Sequence, residues 1–327
     1  MSAEKITRRE FVQRTTVGAA GLAVAGRALG APNTMAERAL GRTGHNVRLF
    51  SLGGQATLEK PGTTEQSLAI IHRAIDLGVN YIDTAARYGR GISQTYTGEV
   101  MKTRRREVFL ASKTHDRTRD GSLQLLDESL KLLQTDHLDL WQLHNVRTDE
   151  EVEQILGKGG AIEAMLKARD EKMVRFLGIT GHYDPDVLAR ALERFPFDTI
   201  LTAVNLADRH RLSFIDRLLP VANRKGMGVI GMKIPARGRM FKEGGITSMK
   251  DAMHYVLSQP VSTVIIGCDT VEQLEENVRL AVTFKPMTSA EMARLESLTA
   301  SYEPEAAWFK SGGQGFTRPG DDDQDTN

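Results

Sequence analysis

Eight times along this chain a short apolar run gives way to a segment whose apolar residues recur at helical spacing. The runs fall at 47–51, 80–83, 108–113, 139–144, 175–180, 199–204, 228–233 and 262–266. The helical patterns predict helices near 64–77, 95–102, 122–133, 161–171, 184–194, 214–225, 248–258, 271–283 and 289–300. In the first of these, Leu68, Ile71, Ala74 and Ile75 share one face, Thr63 or Thr64 is placed to cap the start, and Gly78 follows the end. Runs such as VFLAS, STVIIG and GVIGM are continuous rather than alternating, which suits parallel strands covered on both faces. Eight βα units in about 250 residues predict a (β/α)8 TIM barrel. The turn Gly41-Arg42-Thr43-Gly44 adds a short N-terminal β-hairpin leading into the first barrel strand. A doubly wound open sheet is the alternative, but no G-x-G-x-x-G follows the first strand.

The two ends stand apart from this pattern. Arg8 and Arg9 precede Phe11, a weakly apolar run from Val17 to Ala25, and small residues from Ala28 to Ala31. This predicts a twin-arginine (Tat) export signal with its linker over residues 1–35, hence the Tat machinery as a partner and the periplasm as destination. The run falls short of the ~20 apolar residues a stable membrane span needs. The barrel is expected over 36–302 and a C-terminal segment over 303–327, ending in an acidic tail, GDDDQDTN, expected to be disordered. A net charge of +1 gives no reason to expect nucleic acid as partner. The single cysteine, Cys268, excludes an intrachain disulfide and iron–sulfur ligation by cysteines of one chain. No histidine pair has zinc-site spacing, so no metal is expected.

Three chemically unusual residues close apolar runs: Asp83 in NYID, Lys113 in VFLASK and His144 in LDLWQLH. Tyr88 follows Asp83 by one loop. In a (β/α)8 barrel the C-terminal ends of the strands carry the chemistry, so all four fall on the catalytic face. Each alone has a structural explanation: a cap, a loop aromatic, a satisfied core histidine. A lysine at a buried strand end is harder to dismiss, because a buried ammonium needs a partner. Together they form a proton-transfer set. A phenol is a weak acid, with a pKa of ~10. An adjacent ammonium favours its phenolate, a carboxylate would hold that ammonium charged, and a histidine can orient a substrate oxygen. Such a set protonates a carbonyl oxygen while hydride reaches its carbon.

These residues lie in long ordered stretches that resemble the aldo-keto reductases: LGRTGHNVRLFSLGG, AIDLGVNYIDTAARYG, VFLASK, DHLDLWQLH, KMVRFLGITGH, VNLADR and VIIGCDTVEQLEEN. The resemblance covers about residues 36–300 and implies a carbonyl reductase, with a small-molecule carbonyl substrate, that binds NADP(H) without a Rossmann fold. It implies Asp83, Tyr88, Lys113 and His144 as the catalytic tetrad. Gly267, Cys268, Asp269, Gln273, Glu276 and Asn277 match the family's adenosine and phosphate region. Members that favour NADPH usually carry arginine or lysine near position 268 or 269, where this chain has Asp269. A carboxylate there repels a 2′-phosphate and accepts from ribose hydroxyls, which opens the possibility of NAD(H). The usual nicotinamide contacts are altered, with Thr180-Gly181-His182, Asn205 and Met232 as the candidates at those positions, and Met232 in place of an aromatic. Three functional classes follow: a reductase of aldehydes or ketones, a dinucleotide-holding redox sensor or partner subunit, and a sugar or polyol oxidoreductase with retained cofactor. Trp308 and Phe309 are expected either to cover the barrel mouth or to anchor the tail.

Replacing Arg8 and Arg9 together by lysine is expected to leave the protein in the cytoplasm, read by cell fractionation. Unchanged export would remove the twin-arginine assignment.

Overall fold

The computed structural model describes residues 34–311. Of the expected export signal and linker over 1–35, residues 1–33 lie outside the described residues, as does the acidic tail from Gly312. The hairpin strands β1 (Glu37–Ala39) and β2 (Asn46–Arg48) pair antiparallel. Eight further strands follow: β3 (Phe50–Gly53), β4 (Tyr81–Asp83), β5 (Phe109–Thr114), β6 (Leu138–Leu143), β7 (Val174–Gly181), β8 (Thr199–Ala203), β9 (Gly228–Met232) and β10 (Thr263–Ile266). They close into a barrel in the order β10-β3-β4-β5-β6-β7-β8-β9, every neighbouring pair parallel. This is the (β/α)8 barrel with its N-terminal hairpin.

The parallel strands are covered on both sides. Outside, helices such as Thr64–Asp76 bury Ile70, Ile71, Ala74 and Ile75 against them. Inside, Tyr81, Phe109, Leu140, Leu201, Ile230 and Ile265 form a second cluster with Leu40 and Val47 of the hairpin. Each such side chain withdrawn from water contributes roughly 1.5–3 kcal/mol. Aromatic rings fill the lower barrel, with Phe109 stacked on Tyr81 at 5.4 Å and on His45 at 4.6 Å. The hairpin thereby plugs the N-terminal end and leaves the other end to bind ligands. Its seating is close. Gly41 has φ +54°, and a Cβ there would lie 2.1 Å from the Gly228 nitrogen, so only glycine fits.

The sequence pattern missed two α-helices, one of them the single turn Glu303–Ala306, and joined two others. Asp149–Leu156 is a helix capped by the Thr148 side chain. It is one of the shorter helices, buries only Val152 and Ile155, and runs straight into glycines, so its period is weak. The predicted helix over 214–225 divides into Phe214–Arg217 and Leu219–Arg224. Pro220 lacks the N–H that would continue the ladder. Strand one also divides: β2 belongs to the hairpin, and the barrel strand begins only at Phe50.

The chain after the helix Ser289–Thr299 packs onto the loops at the open end of the barrel. Lys310 is 1% exposed and donates to the carbonyls of Asp208 and Arg211, each at 2.7 Å, and to Asp208 Oδ1 at 2.8 Å. The Ser311 amide donates to the Tyr183 carbonyl at 2.7 Å.

Candidate active site

Parallel closure brings three consecutive strands together at the open end. Asp83 is the last residue of β4, Lys113 the penultimate residue of β5, and His144 the first residue after β6. Register pairing sets Asp83 opposite Ala111, and Lys113 opposite Gln142. Tyr88 begins a tight turn, Tyr88–Gly91, in which Gly89, Arg90 and Gly91 all have positive φ before the helix Ile92–Arg104 starts. Gly89 is required there, since a Cβ would sit 2.2 Å from the Glu59 carbonyl oxygen.

Lys113 is the hub. Its ammonium is ion-paired with Asp83 Oδ2, donates to the Thr84 carbonyl at 2.9 Å, and donates to the Tyr88 phenol oxygen at 3.2 Å. It also lies 4.6 Å from the Tyr88 ring centre. Asp83 and Lys113 are 0% and 1% exposed. The remaining Asp83 oxygen accepts from Gln142 Nε2 at 3.0 Å. The imidazole of His144 meets the Tyr88 ring edge-on, with centres 5.6 Å apart. Its backbone is clamped from both sides: its N–H donates to the Thr114 carbonyl at 2.8 Å, and its carbonyl accepts from Arg117 at 2.9 Å. The four residues read from the sequence thus converge.

Burial governs the charges. It raises the Asp83 carboxyl above the usual carboxylate range, against the pull of the Lys113 ammonium and the hydrogen bonds from Lys113 and Gln142. It lowers the Lys113 ammonium, against the opposing pull of Asp83. The sign follows for stability. A raised carboxyl contributes most below its unfolded pKa and loses that contribution as pH rises through the folded value. A lowered ammonium contributes most above its unfolded pKa and loses it as pH falls through the folded value. Both directions express the desolvation that burial imposes on the pair, which the mutual attraction of Asp83 and Lys113 and the bond from Gln142 oppose. Burial also pushes the Cys268 thiol up to about 12, so it is a poor nucleophile in the folded state.

The candidate cofactor residues occupy the opposite half of the rim. Thr180 is buried at the end of β7 and accepts the Asn145 N–H at 2.8 Å. His182 is 6% exposed and packs edge-on against Phe309. Asn205 uses both ends of its amide, donating to the Lys233 carbonyl at 3.2 Å and accepting the Ala207 N–H at 3.0 Å. It therefore shapes the loop after β9. Met232 ends β9 half-buried against the inner barrel cluster. Gly267 approaches Gln55 so closely that a Cβ would lie 2.9 Å from its carbonyl oxygen. Cys268 is fully buried, with Asn277 Nδ2 at 3.5 Å from its sulfur. Gln273 accepts the Asp269 N–H at 2.8 Å. Glu276 is ion-paired with Arg279. Asp269 is paired with Lys60 at 2.8 Å, both side chains about half exposed.

Several contributors escaped the sequence reading. Gln142 lies inside the run LDLWQL, and its period-2 alternation with Leu140 was the signal that it points inward. Lys233, Arg237 and Arg239 place three cations in the loop after β9, where Lys233, Ala236, Arg237 and Gly238 all have positive φ. The cluster KIPARGR was visible in the sequence. Lys60 gave no signal, because its partner lies 209 residues away.

A sequence model of the Aldo/keto reductase family matches residues 49–251. The uncharacterized oxidoreductase YqkF of Bacillus subtilis is 27% identical over 312 residues, covering 81% of this chain and 97% of that protein. L-galactose dehydrogenase of Arabidopsis thaliana is 28% identical over 307 residues, covering 82% and 94%. A solved aldo/keto reductase from Klebsiella pneumoniae, in complex with NADP and acetate, is 25% identical with a TM-score of 0.66, covering 78% of this chain and 92% of that one.

The variant Lys113→Met is expected to lose about 3–5 kcal/mol of stability, because it leaves a buried carboxylate unpaired. The double variant Asp83→Asn/Lys113→Met should recover most of that loss in urea titrations. A double variant no more stable than the single one would show that unpaired charge is not the cause.

Proposed function

Because the chain belongs to the aldo/keto reductase family and is an NAD(P)H-dependent oxidoreductase, we propose that it reduces an aldehyde or ketone with Tyr88 as the general acid. One observation carries this reading: a single buried ammonium, Lys113, is ion-paired with Asp83 and donates to the Tyr88 oxygen at 3.2 Å. Tyr88 gives its proton to the substrate carbonyl oxygen. Lys113 stabilises the phenolate that remains, and Asp83, held by Gln142, keeps Lys113 in place. His144, at the edge of the Tyr88 ring, orients the substrate oxygen and supports its developing charge. In the oxidative direction Tyr88 is the base.

The residues present fit a nicotinamide dinucleotide, which when bound supplies hydride to the carbonyl carbon. Lys233, Arg237 and Arg239, on a loop with successive left-handed residues, suit a pyrophosphate. Thr180, His182, Asn205 and Met232 border the nicotinamide end. Gly267, Cys268, Asp269, Gln273, Glu276 and Asn277 border the adenosine end. NADP(H) is the family cofactor. Asp269 gives the ribose an acceptor and weakens the hold on a 2′-phosphate, while Lys60 offsets part of its charge, so NAD(H) is proposed as a second usable form. Arg8 and Arg9 support export of the folded, cofactor-loaded barrel to the periplasm.

Oxidation of a sugar is the second reading, favoured by the likeness to L-galactose dehydrogenase. A redox sensor without turnover is disfavoured, since it gives the costly buried pair nothing to do.

Tyr88→Phe is expected to lower kcat by about 10²–10⁴-fold, the range of one general acid, with dinucleotide binding retained. Turnover within a few-fold of the unaltered protein would remove Tyr88 from that role. Asp269→Arg should raise the ratio of NADPH to NADH affinity about 10–150-fold, since an added charge-assisted contact contributes roughly 1.5–3 kcal/mol. An unchanged ratio would show that Asp269 does not read the 2′-position.

A further inference from the structure

The segment from Tyr302 to Ser311 follows the last barrel helix, lies beyond the family match at 49–251, and makes a consistent set of contacts. The Trp308 indole covers the Arg239 guanidinium at 4.4 Å and the Lys233 ammonium at 5.3 Å from its centre. The Phe309 ring lies 5.7 Å from that same ammonium and packs edge-on against His182 at 5.4 Å. Arg239 is 7% exposed and Phe309 is 6% exposed, so these contacts are interior ones. The Tyr302 hydroxyl accepts the Ile246 N–H at 3.1 Å and donates to the Met240 carbonyl at 3.2 Å, which ties the segment to the rest of the same loop.

The placement is selective. In the closed order of strands, β9 lies across the barrel from β5, which carries Lys113. The aromatic contacts of the segment go to the loops after β7 and β9, not to the proton-transfer set beyond β4, β5 and β6. The segment is also firmly seated. Lys310, itself 1% exposed, makes three donations, and Arg211 holds Glu303 at 3.1 Å, the Ala307 carbonyl at 3.3 Å and the Ser311 carbonyl.

We propose that the C-terminal segment is a wall of the dinucleotide site, in which Trp308 is a positioning residue that fixes Lys233 and Arg239 for the cofactor phosphates. The inference rests on the cofactor placement proposed above. Lysine and arginine are among the side chains with most rotamer freedom, and ordering them on binding weakens affinity. An indole face attracts both cations without neutralising them. The cations are therefore arrayed before the phosphates arrive, and the gain appears as tighter binding and slower release.

The chain has two tryptophans, so Trp141→Phe leaves Trp308 as the sole indole reporter in the full chain. NADP+ and NAD+ are the probes, since neither emits. Adding the tighter of the two should change Trp308 emission saturably, with the same midpoint as calorimetry on that protein. Trp308→Leu should raise the calorimetric Kd about tenfold, chiefly through faster dissociation, and Trp308→Tyr should restore most of the loss, a recovery that a merely structural role for the indole would not predict. Calorimetric binding with unresponsive emission, or an unchanged Kd in Trp308→Leu, overturns the proposal while leaving the reductase reading intact. If neither dinucleotide binds the unaltered protein, the cofactor placement itself fails, and this inference with it.

Discussion

The buried pair of Asp83 and Lys113 is the interaction on which the rest of this site depends. Two charges inside a barrel are tolerated only if each finds partners, and these are found in one another, in Gln142, in the Thr84 carbonyl and in the Tyr88 oxygen. A buried ion pair is weak evidence for stability on its own account. It persists because the barrel walls, the helices outside them and the hairpin below supply far more apolar burial than the pair removes. The plugged lower end matters for the chemistry as well. It closes the barrel beneath the ammonium, which is 1% exposed, while the Tyr88 oxygen that Lys113 meets lies at the partly exposed rim.

Closing the sheet also divides labour around the rim. Strands β4, β5 and β6 are neighbours and bring the proton-transfer residues to one arc. The opposite arc, from β7 to β10, carries the residues proposed to border a dinucleotide, with Lys233, Arg237 and Arg239 in the first half of the loop after β9. On the function proposed above, the reacting carbon would lie between the arc of Asp83, Tyr88, Lys113 and His144 and the arc proposed for the dinucleotide. A closed ring provides that opposition, whereas an open sheet would leave its two edges unpaired and far apart. The C-terminal segment belongs to the second arc, because its aromatic residues meet Lys233, Arg239 and His182.

The legible parts of the chain were those governed by local period and by residue type. The barrel strands appeared as short apolar runs because both their faces are covered. Asp83, Lys113 and His144 stood out because each interrupts such a run. The weak points were where the period is short or is overridden. The helix Asp149–Leu156 buries too few residues to declare itself, and Pro220 breaks a helix that the apolar spacing alone would continue. Gln142 was passed over as the polar member of an apolar strand, although its parity with Leu140 put it on the inner face.

The sequence by itself determined the βα alternation and the family likeness, and singled out Asp83, Tyr88, Lys113 and His144 as candidates, because these depend on local patterns and on ordered motifs. Only the tertiary structure decided what those residues touch. The ion pair of Asp269 with Lys60, the use of both ends of the Asn205 amide, and the seating of Trp308 over Arg239 join positions far apart in the chain. Such contacts leave no local period, since they are set by which loops the closed barrel brings to the same part of its rim.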